Sequence, residues 1–428
     1  MIKERGSAFY SALLFFILVL HFAVFDLAPQ NPIGIKYVSE LYLLISILFT
    51  AIFVLGTIGA GSNRQDYNIV LTFSIFVCGV FIVLPAIFSF LFYGQPIFYG
   101  LIEERRVLFC LSVLLLMYLS RRVSVRQFER TIIAVALFAT ILSWLCFYQI
   151  LPDLRDADLD RDLSRPGRSA VGTFGLIMAF CLCIFNWHKG RSPIDGEARA
   201  KIPHLFIAII IFATIVFVTQ TRQVILLLAF FTILCMKARS IPWIMFAAIV
   251  IAPIAINPHI LEPLGVNIDF YLESAEEGPT DHIREGTIAQ IFDHLDQYNW
   301  VPSGSLSLMW NDGFKSYFSY YFFLSDVGIF GTLFRFGFLS FIVIPFAMFV
   351  YYKTAKKLSP NMEFTLAVFL AHLLLWPLQG IFEYQQGLTA FLFTVQALKG
   401  FHAKKPFGSV ETFTLQIPPA YLYKRKNV

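Results

Sequence analysis

The sequence predicts an all-α membrane protein, a polytopic bundle of about 12 transmembrane helices. Of its 428 residues, 57% are hydrophobic and only 14% are charged. Apolar segments of helical length recur along the chain, and one long polar segment interrupts them. A soluble domain could not bury this much apolar side chain. All six cysteines lie in apolar runs, which favours packed thiols over a disulfide framework or a metal site.

The apolar segments of helical length are residues 8–27, 37–60, 69–92, 101–120, 131–151, 170–187, 204–219, 223–237, 241–257, 321–352, 362–380 and 384–399. The first follows Lys3 and Arg5 and has no small-x-small cleavage site, which indicates an uncleaved membrane helix. Segments 204–219 and 223–237 are short for a full span, so they either cross the membrane or dip into it and return.

Basic residues indicate the orientation of the bundle. They gather in connectors that all fall on one side, and the positive-inside rule assigns that side, with both termini, to the cytoplasm. The net charge of +5 is then a topology signal, and no nucleic-acid partner is expected. The predicted organisation is nine helices over residues 1–257, a large external loop over 258–320, three helices over 321–399 and a cytoplasmic tail over 400–428.

The external loop is where we expect the chemistry, because it is the one long polar segment of an otherwise apolar chain. It contains a predicted amphipathic helix with Thr280 as its N-cap. The apolar stripe of this helix consists of Ile283, Ile288, Ile291, Phe292 and Leu295.

The first turn of this helix carries Asp281, His282 and Arg284, at the end where the helix dipole favours an anion. This pattern predicts a phosphate-binding arginine beside a His or Asp that can take a proton. A solvated helix start with ordinary surface charges has the same composition. Asp293 and His294, further along, are expected to be solvated.

Arg222 lies between the two short apolar segments. A charge at membrane depth costs about 2.5–3.5 kcal/mol, so it usually faces a cavity or a partner. One interpretation is an anion clamp, because a guanidinium can hold a phosphate with two hydrogen bonds. The alternative is an interfacial arginine that extends to the lipid headgroups.

Further candidates lie at the predicted outer ends of helices. Arg165 and Arg168 directly precede segment 170–187, where they can meet a polar ligand. Asp326 follows a run of aromatic residues and is a general base, or it orients an arginine or caps the helix. The cluster Glu103-Glu-Arg-Arg106 is either self-neutralising or a second lining of the site.

Three motifs follow one another in the second half of the chain: Thr219-Gln-Thr-Arg222, Arg284-x15-Trp300-x3-Gly304 and Phe323-Leu-Ser-Asp326-Val-Gly-Ile-Phe-Gly331. In this order and spacing they resemble the O-antigen polymerase and O-antigen ligase superfamily. The last motif looks most like the branch of exopolysaccharide, or repeat-unit, polymerases. The resemblance covers roughly residues 165–350 at the level of motifs and the whole chain at the level of topology.

This resemblance implies a membrane-embedded glycosyltransferase that needs no metal or other cofactor. It implies transfer of a glycan from polyprenyl diphosphate to the acceptor sugar of another lipid-linked repeat unit, at the outer face of a bacterial inner membrane. Arg222 and Arg284 would hold the diphosphate and stabilise its leaving charge, and Arg168 would assist. The expected partners are polyprenyl-diphosphate-linked oligosaccharides and the lipid bilayer, and the resemblance also allows a chain-length regulator.

One departure from the family bears on the reaction. The ligase type usually shows a His-Asn pair shortly before the acidic residue of the last motif, where this chain has Tyr317-Phe318. That favours a polymerase with His282 as the base. The alternatives are a ligase that moves finished polymer to a lipid or protein acceptor, and a transporter or flippase of lipid-linked oligosaccharide. Transporters typically show two matching halves, and the sequence shows no such repeat.

Overall fold

The computed structural model describes residues 2–25, 37–57, 65–152, 169, 171–236, 279–319, 322, 324, 327–358 and 363–373. Within these ranges the chain forms helices and loops, with no strand, and the predicted all-α class is confirmed there. The α-helices are α1 (Ile2–His21), α2 (Tyr37–Thr57), α3 (Gln65–Cys78), α4 (Leu84–Tyr93), α5 (Ile97–Glu103), α6 (Ser112–Ser120), α7 (Val125–Phe147), α8 (Thr173–Lys189), α9 (Lys201–Thr214), α10 (Arg222–Cys235), α11 (Pro279–Gln297), α12 (Ile329–Phe336), α13 (Ser340–Leu358) and α14 (Glu363–Leu373).

Several helical stretches are long and apolar enough to cross a membrane. In the described part of the chain there are five: Tyr37–Gly56, Tyr67–Tyr93, Val125–Phe147, Lys201–Thr219 and Ile329–Leu358. Helix α2 shows what such helices face, because its leucines and isoleucine at positions 41, 44, 48, 52 and 55 are 50% to 71% exposed on one helix face. A face of this kind is stable only against lipid, so the chain is a membrane protein. The predicted count of spans also uses segments 241–257 and 384–399, which lie outside the described residues.

The long span from Tyr67 to Tyr93 contains α3 and α4, joined by a π-helical turn at Gly79–Val83. Pro85 explains the turn, because it has no N–H for the carbonyl four residues earlier and its ring crowds that carbonyl. At about 1.5 Å per residue this span is roughly 40 Å long. It therefore reaches from one end of the bundle to the other.

Predicted segment 101–120 is not one regular α-helix. A 3₁₀ stretch, Glu104–Leu111, separates α5 from α6. Side-chain contacts hold this stretch in place, since Glu104 pairs with Arg335 and Arg105 pairs with Glu40. The sequence predicts that Glu103 to Arg106 are either self-neutralising or a second lining of the site, and it identifies neither Glu40 nor Arg335 as a partner.

Predicted segment 321–352 also differs from the observed helices. The helical part begins later, with α12 at Ile329, and continues to Leu358 at the end of α13. A 3₁₀ turn at Gly337–Leu339 breaks it, and Gly337 has a positive φ of 51°. A side chain at Gly337 would approach the carbonyl oxygen of Trp300 to 2.1 Å, so the break fits the chain around Trp300.

One end of the bundle, which we call the basic end, gathers the cationic connectors. The guanidinium of Arg121 lies over the ring of Tyr67, and that of Arg122 over the ring of Tyr10. Lys189 at the end of α8 forms an ion pair with Glu363 at the start of α14. These contacts bring several of the basic connectors together at this end.

The opposite end, which we call the loop end, is formed by Tyr93, Glu104, residues 279–319 and Arg335. Here α11 packs on α12, and both cover a small apolar cluster. The buried members of that cluster are Ile291, Leu295, Phe322, Leu324, Val327 and Phe334. Helix α11 is therefore amphipathic, as predicted, although it begins at Pro279, one residue before the predicted cap.

Candidate functional site

A cleft of about 610 Å³ opens at the loop end. Phenylalanine and tyrosine rings line one part of the cleft, and hydrogen-bonding side chains line a part of similar size. The lining residues are Phe92, Tyr93, Gln290, Asp293, His294, Gln297, Tyr298, Tyr317 and Phe318. The cleft therefore combines flat apolar surfaces with a carboxylate and amides, in a size that suits a small organic ligand.

Helix α11 supplies the polar wall of the cleft. Gln290, Asp293, His294 and Gln297 recur at the spacing of one helix face. The other side of the helix, with Ile291 and Leu295, is fully buried in the apolar cluster. The same periodicity that buries the apolar stripe thus presents the polar stripe to the cleft.

The aromatic wall comes from the end of α4 and from residues 317–318. The rings of Tyr93 and Tyr317 lie 4.8 Å apart between centroids, and those of Phe92 and Tyr298 lie 4.9 Å apart. Gln290 fixes this wall, because its side chain donates to the hydroxyl of Ser319 at 3.0 Å and accepts from the Ser319 N–H at 3.1 Å. Tyr298 and Tyr317 are each more than 40% exposed, so part of each side chain is accessible to a ligand.

His294 sits at the base of the cleft and is only 7% exposed. Its Nε2 shares a hydrogen bond of 2.8 Å with the hydroxyl of Ser303. Burial lowers the pKa of His294 to about 4, so the imidazole is neutral at neutral pH. The expectation of a solvated His294 was wrong, because its position on α11 faces α4 and Ser303, whereas Asp293 is exposed as expected.

Residues 303–307, which we call the serine segment, connect the cleft to the bundle. The backbone N–H groups of Ser303 and Gly304 donate to the carbonyls of Phe334 and Arg335, at 3.3 and 3.0 Å. These are carbonyls at the C-terminus of α12 that have no partner within their own helix. The serine segment therefore closes the end of α12 and fixes the position of Ser303 beneath His294.

Gly304 allows the serine segment to approach α4 very closely. Its φ is +71°, and a Cβ there would lie 2.2 Å from the carbonyl oxygen of Pro85 and 2.4 Å from the backbone N of Ser89. Only glycine fits such a contact without displacement of a backbone. Gln95, which is fully buried, adds two bonds: its amide donates to the carbonyl of Ser305 at 3.0 Å and accepts from the Ser307 N–H at 2.8 Å.

A buried ion pair lies below the serine segment. Nε of Arg335 donates to Oε1 of Glu104 at 2.9 Å and to the hydroxyl of Ser305 at 2.8 Å, and Ser305 donates to the same carboxylate. The two charged side chains are each 5% exposed. Burial, and then the neighbouring Glu104, raise the pKa of Glu103, the next carboxyl along the chain.

The predicted site residues fall mostly outside what the structure describes. Arg165, Arg168 and Asp326 are outside the described residues altogether. Asp281 and His282 belong to the first turn of α11, and Arg222 is the first residue of α10, but the structure describes only their backbone.

Arg284 is the one predicted site residue with a described side chain, and it is half-buried. It precedes Ile288, Ile291 and Leu295 by four, seven and eleven residues, so it lies on the apolar face of α11 rather than on the cleft face. Arg284 is therefore not a lining residue of the cleft. Arg284 and the lining residues of α11 thus lie on different faces of the same helix.

The turn that leads to Arg222 has neighbours of its own. Helix α9 continues through a π-helical turn, Ile215–Thr219, and Gln220 then takes a left-handed conformation with φ of 50°. With that turn, the helical stretch Lys201–Thr219 is long enough to span a membrane. The predicted segment 204–219 therefore began three residues too late. Ser169, which follows Arg168, donates its N–H to the carbonyl of Val218 at 3.2 Å. The backbone thus brings Ser169 to the turn before Arg222.

Two features of the site were missed at the sequence level, although the sequence contained a signal for each. Arg335 is a lone charge in an apolar run, which by itself indicates a buried partner. His294 belongs to a polar stripe, with Gln290, Asp293 and Gln297, at the same spacing as the apolar stripe. No model of a known protein family matches the chain, and no curated protein matches it.

Proposed function

We propose that the protein is a polysaccharide polymerase of a bacterial inner membrane, which joins lipid-linked repeat units at the outer face. The observation that carries the proposal is the aromatic and polar cleft at the loop end, on a molecule whose helices otherwise present apolar faces to lipid. The ordered motifs that contain Arg222, Arg284 and Asp326 support it from the sequence.

The cleft has the chemistry of a carbohydrate site. Tyr298 and Tyr317 are partly exposed aromatic residues, and the apolar C–H face of a sugar ring can pack against such side chains. The Asp293 carboxylate and the Gln297 amide can accept and donate hydrogen bonds to sugar hydroxyls. We assign the cleft to the glycan part of a substrate, while the diphosphate belongs to the arginines.

The proposed reaction moves one glycosyl group between two lipid-linked chains. The acceptor hydroxyl oxygen attacks the anomeric carbon of the donor, a new glycosidic bond forms, and the bond from that carbon to polyprenyl diphosphate breaks. Arg222 and Arg284 stabilise the charge that develops on the departing diphosphate. The hydroxyl proton passes to a base, for which His282 is the proposed residue.

The test compares two variants on one helix in cells that make the polymer. Asp293→Ala removes a charged hydrogen-bonding group from the cleft, and Glu285→Ala removes a carboxylate that is exposed and does not line it. Hydrogen bonds to charged groups are worth about 1.5–3 kcal/mol, so we expect glycan binding to weaken about 10- to 100-fold in the first variant only. The measurement is the length of the glycan on the lipid carrier, at equal membrane levels of protein.

Shorter glycans with Asp293→Ala and wild-type glycans with Glu285→Ala are the expected result. Equal profiles in both variants would remove the cleft from the reaction. Arg284→Ala tests the reaction class, because single repeat units accumulating on the outer face support a polymerase. Long polymer stranded on the carrier would indicate a ligase, and repeat units trapped at the cytoplasmic face would indicate a transporter.

A further inference from the structure

A second cavity, of about 710 Å³, lies between α3 and α13 at the basic end of the bundle. The two helices touch along its floor, where the ring of Phe73 packs edge-on against Tyr351 at 6.2 Å. The residues that line the groove are Asn68, Ile69, Thr72, Phe73, Phe76, Val350, Lys353, Thr354 and Lys357. It is distinct from the cleft at the loop end and shares no residue with it.

The polarity of the groove changes along its length. Lys357 and Asn68 lie nearest the helix ends, Lys353 and Thr72 follow one turn further in, and Val350 comes next. On α3 the innermost lining residue is Phe76, eight residues or about 12 Å from Asn68 along the helix. Basic and amide groups thus give way to aromatic and aliphatic groups over about 12 Å, in the same order as the headgroup, ester region and acyl chain of a lipid.

The charges of the groove are of one sign. Lys353 and Lys357 are four residues apart, so their ammonium groups emerge on the same face of α13. The Lys353 ammonium lies 4.7 Å from the centroid of the Phe349 ring, which holds it at the mouth of the groove. Among the described residues that line the groove there is no carboxylate.

We infer that this groove binds an anionic glycerophospholipid from the membrane leaflet at the basic end. Lys353 and Lys357 receive the phosphate, Asn68 and Thr72 meet the glycerol ester region, and one acyl chain follows Phe76 and Val350. Two lysines beside an apolar channel complement a headgroup with net negative charge, and a zwitterionic headgroup offers them no net attraction. The chain's own last residues, 400–428, are a poor occupant, because they carry an excess of Lys and Arg.

The inference is independent of the proposed function, since it rests on the groove alone. The test uses the purified full chain in detergent, equilibrated with equal amounts of phosphatidylglycerol and phosphatidylethanolamine and analysed by native mass spectrometry. The variant Lys353→Gln/Lys357→Gln is compared with Lys356→Gln. Lys356 is the matched control, because it is an exposed lysine on the same helix that lies over the Tyr352 ring and does not line the groove.

We expect the double variant to lose about 30-fold in its preference for phosphatidylglycerol, and Lys356→Gln to keep the wild-type preference. Equal preference in the wild type and the double variant would overturn the inference, as would wild-type protein that retains both lipids equally. A second measurement needs no variant. Salt near 1 M shortens the Debye length to about 3 Å, so the wild-type preference should fall with salt. A preference that is unchanged at high salt would also overturn the inference.

Discussion

Each end of the molecule contains a buried glutamate that is hydrogen-bonded by a serine and an arginine, but the surroundings of the two groups differ. At the loop end, Glu104 is bonded by Ser305 and Arg335. At the basic end, Glu129 is bonded by Ser192 and by Nε of Arg199, the latter at 2.7 Å. All four charged side chains are 4% or 5% exposed.

The settings differ in what else surrounds each arginine. Arg199 also pairs with Asp195 at 2.9 Å and lies 3.6 Å from Glu197, so carboxylates of its own connector surround it. Burial lowers the pKa of Arg199, but Glu129 and then Asp195 raise it, and the net shift is upward. Arg335 instead joins Glu104 to the serine segment, which leads within two residues to Ser303 beneath the cleft.

The comparison shows that a buried carboxylate–arginine pair is not by itself a functional sign. At the basic end the pair folds a short connector, residues 190–200, onto the start of α7, which begins with a capping box of Ser124 and Gln127. At the loop end the same chemistry joins parts of the chain that are far apart in sequence, and it supports a ligand-sized cleft. The neighbours of the pair, rather than the pair, distinguish the two roles.

The largest expected effect comes from removal of one arginine at each end. Arg335→Leu leaves Glu104 as an uncompensated buried charge, and Arg199→Leu does the same to Glu129, so each variant should lose about 3–5 kcal/mol of stability. Only Arg335→Leu should shorten the glycan per molecule of folded protein, because only that pair supports the cleft. Thermal unfolding in detergent and glycan length at matched protein levels measure the two effects.

The double variant Glu104→Leu/Arg335→Leu is the control for the buried charge. It should recover most of the lost stability, because two apolar side chains leave no charge unpaired. If Arg199→Leu shortens the glycan as much as Arg335→Leu does, the distinction between the two ends is wrong.

A smaller effect is expected from an added methyl group at two glycines. Gly304→Ala places a Cβ in contact with the α4 backbone at a positive φ, and we expect a loss of about 2–5 kcal/mol. Gly196→Ala, in the connector of the basic end, has the same kind of φ, +76°, but nothing within 4 Å of the new Cβ. It should lose only about 1–2 kcal/mol, for the backbone conformation alone.

Unfolding midpoints of the two alanine variants test this difference. Equal losses would mean that the close approach of the serine segment to α4 has been overestimated. Shorter glycans with Gly304→Ala but not with Gly196→Ala would support the assignment of the glycan-binding site to the loop end.

A different kind of effect, a pH dependence, is expected at the loop end. The pKa of His294 in the folded state is about 4, below its ordinary 6.5. Between pH 4 and pH 6.5 the unfolded chain therefore binds a proton at this residue and the folded chain does not. The stability that His294 contributes is complete above pH 6.5 and is lost as the pH falls toward 4. Wild-type unfolding temperature should therefore fall more steeply from pH 6.5 to 4.5 than that of His294→Gln. Parallel curves would contradict a buried neutral His294.

Much of the fold follows from local sequence pattern, whereas the site depends on long-range contacts. The apolar segments and the amphipathic α11 were predictable, because burial and lipid exposure impose a helical period on adjacent residues. The pairing of Glu104 with Arg335 was not, because a charge carries no information about which distant charge it meets. The break at Gly337 could not be predicted either, because the apolar run around it has the pattern of one continuous helix. The chain bends there to fit against Trp300.

The predicted site shows the same limit. Arg284 and the cleft residues belong to one predicted helix, and their register on that helix, which the sequence already contains, places them on different faces. The sequence does not show which other helices pack against each face of α11. The packing of α11 on α12, and the contact of His294 with Phe92 of α4, decide that one face is buried and the other borders an open cleft.

The ion pair of Glu104 and Arg335 also constrains the order of events during synthesis of the protein. The two residues are 231 positions apart, so at roughly 5–20 residues per second a ribosome makes Arg335 about 10–45 s after Glu104. For that time the insertion machinery must keep a carboxylate at the edge of the apolar core without its cation. The Glu104–Arg335 ion pair therefore forms only after residue 335 has been made, and a nascent chain stopped before that residue leaves the loop end unfinished.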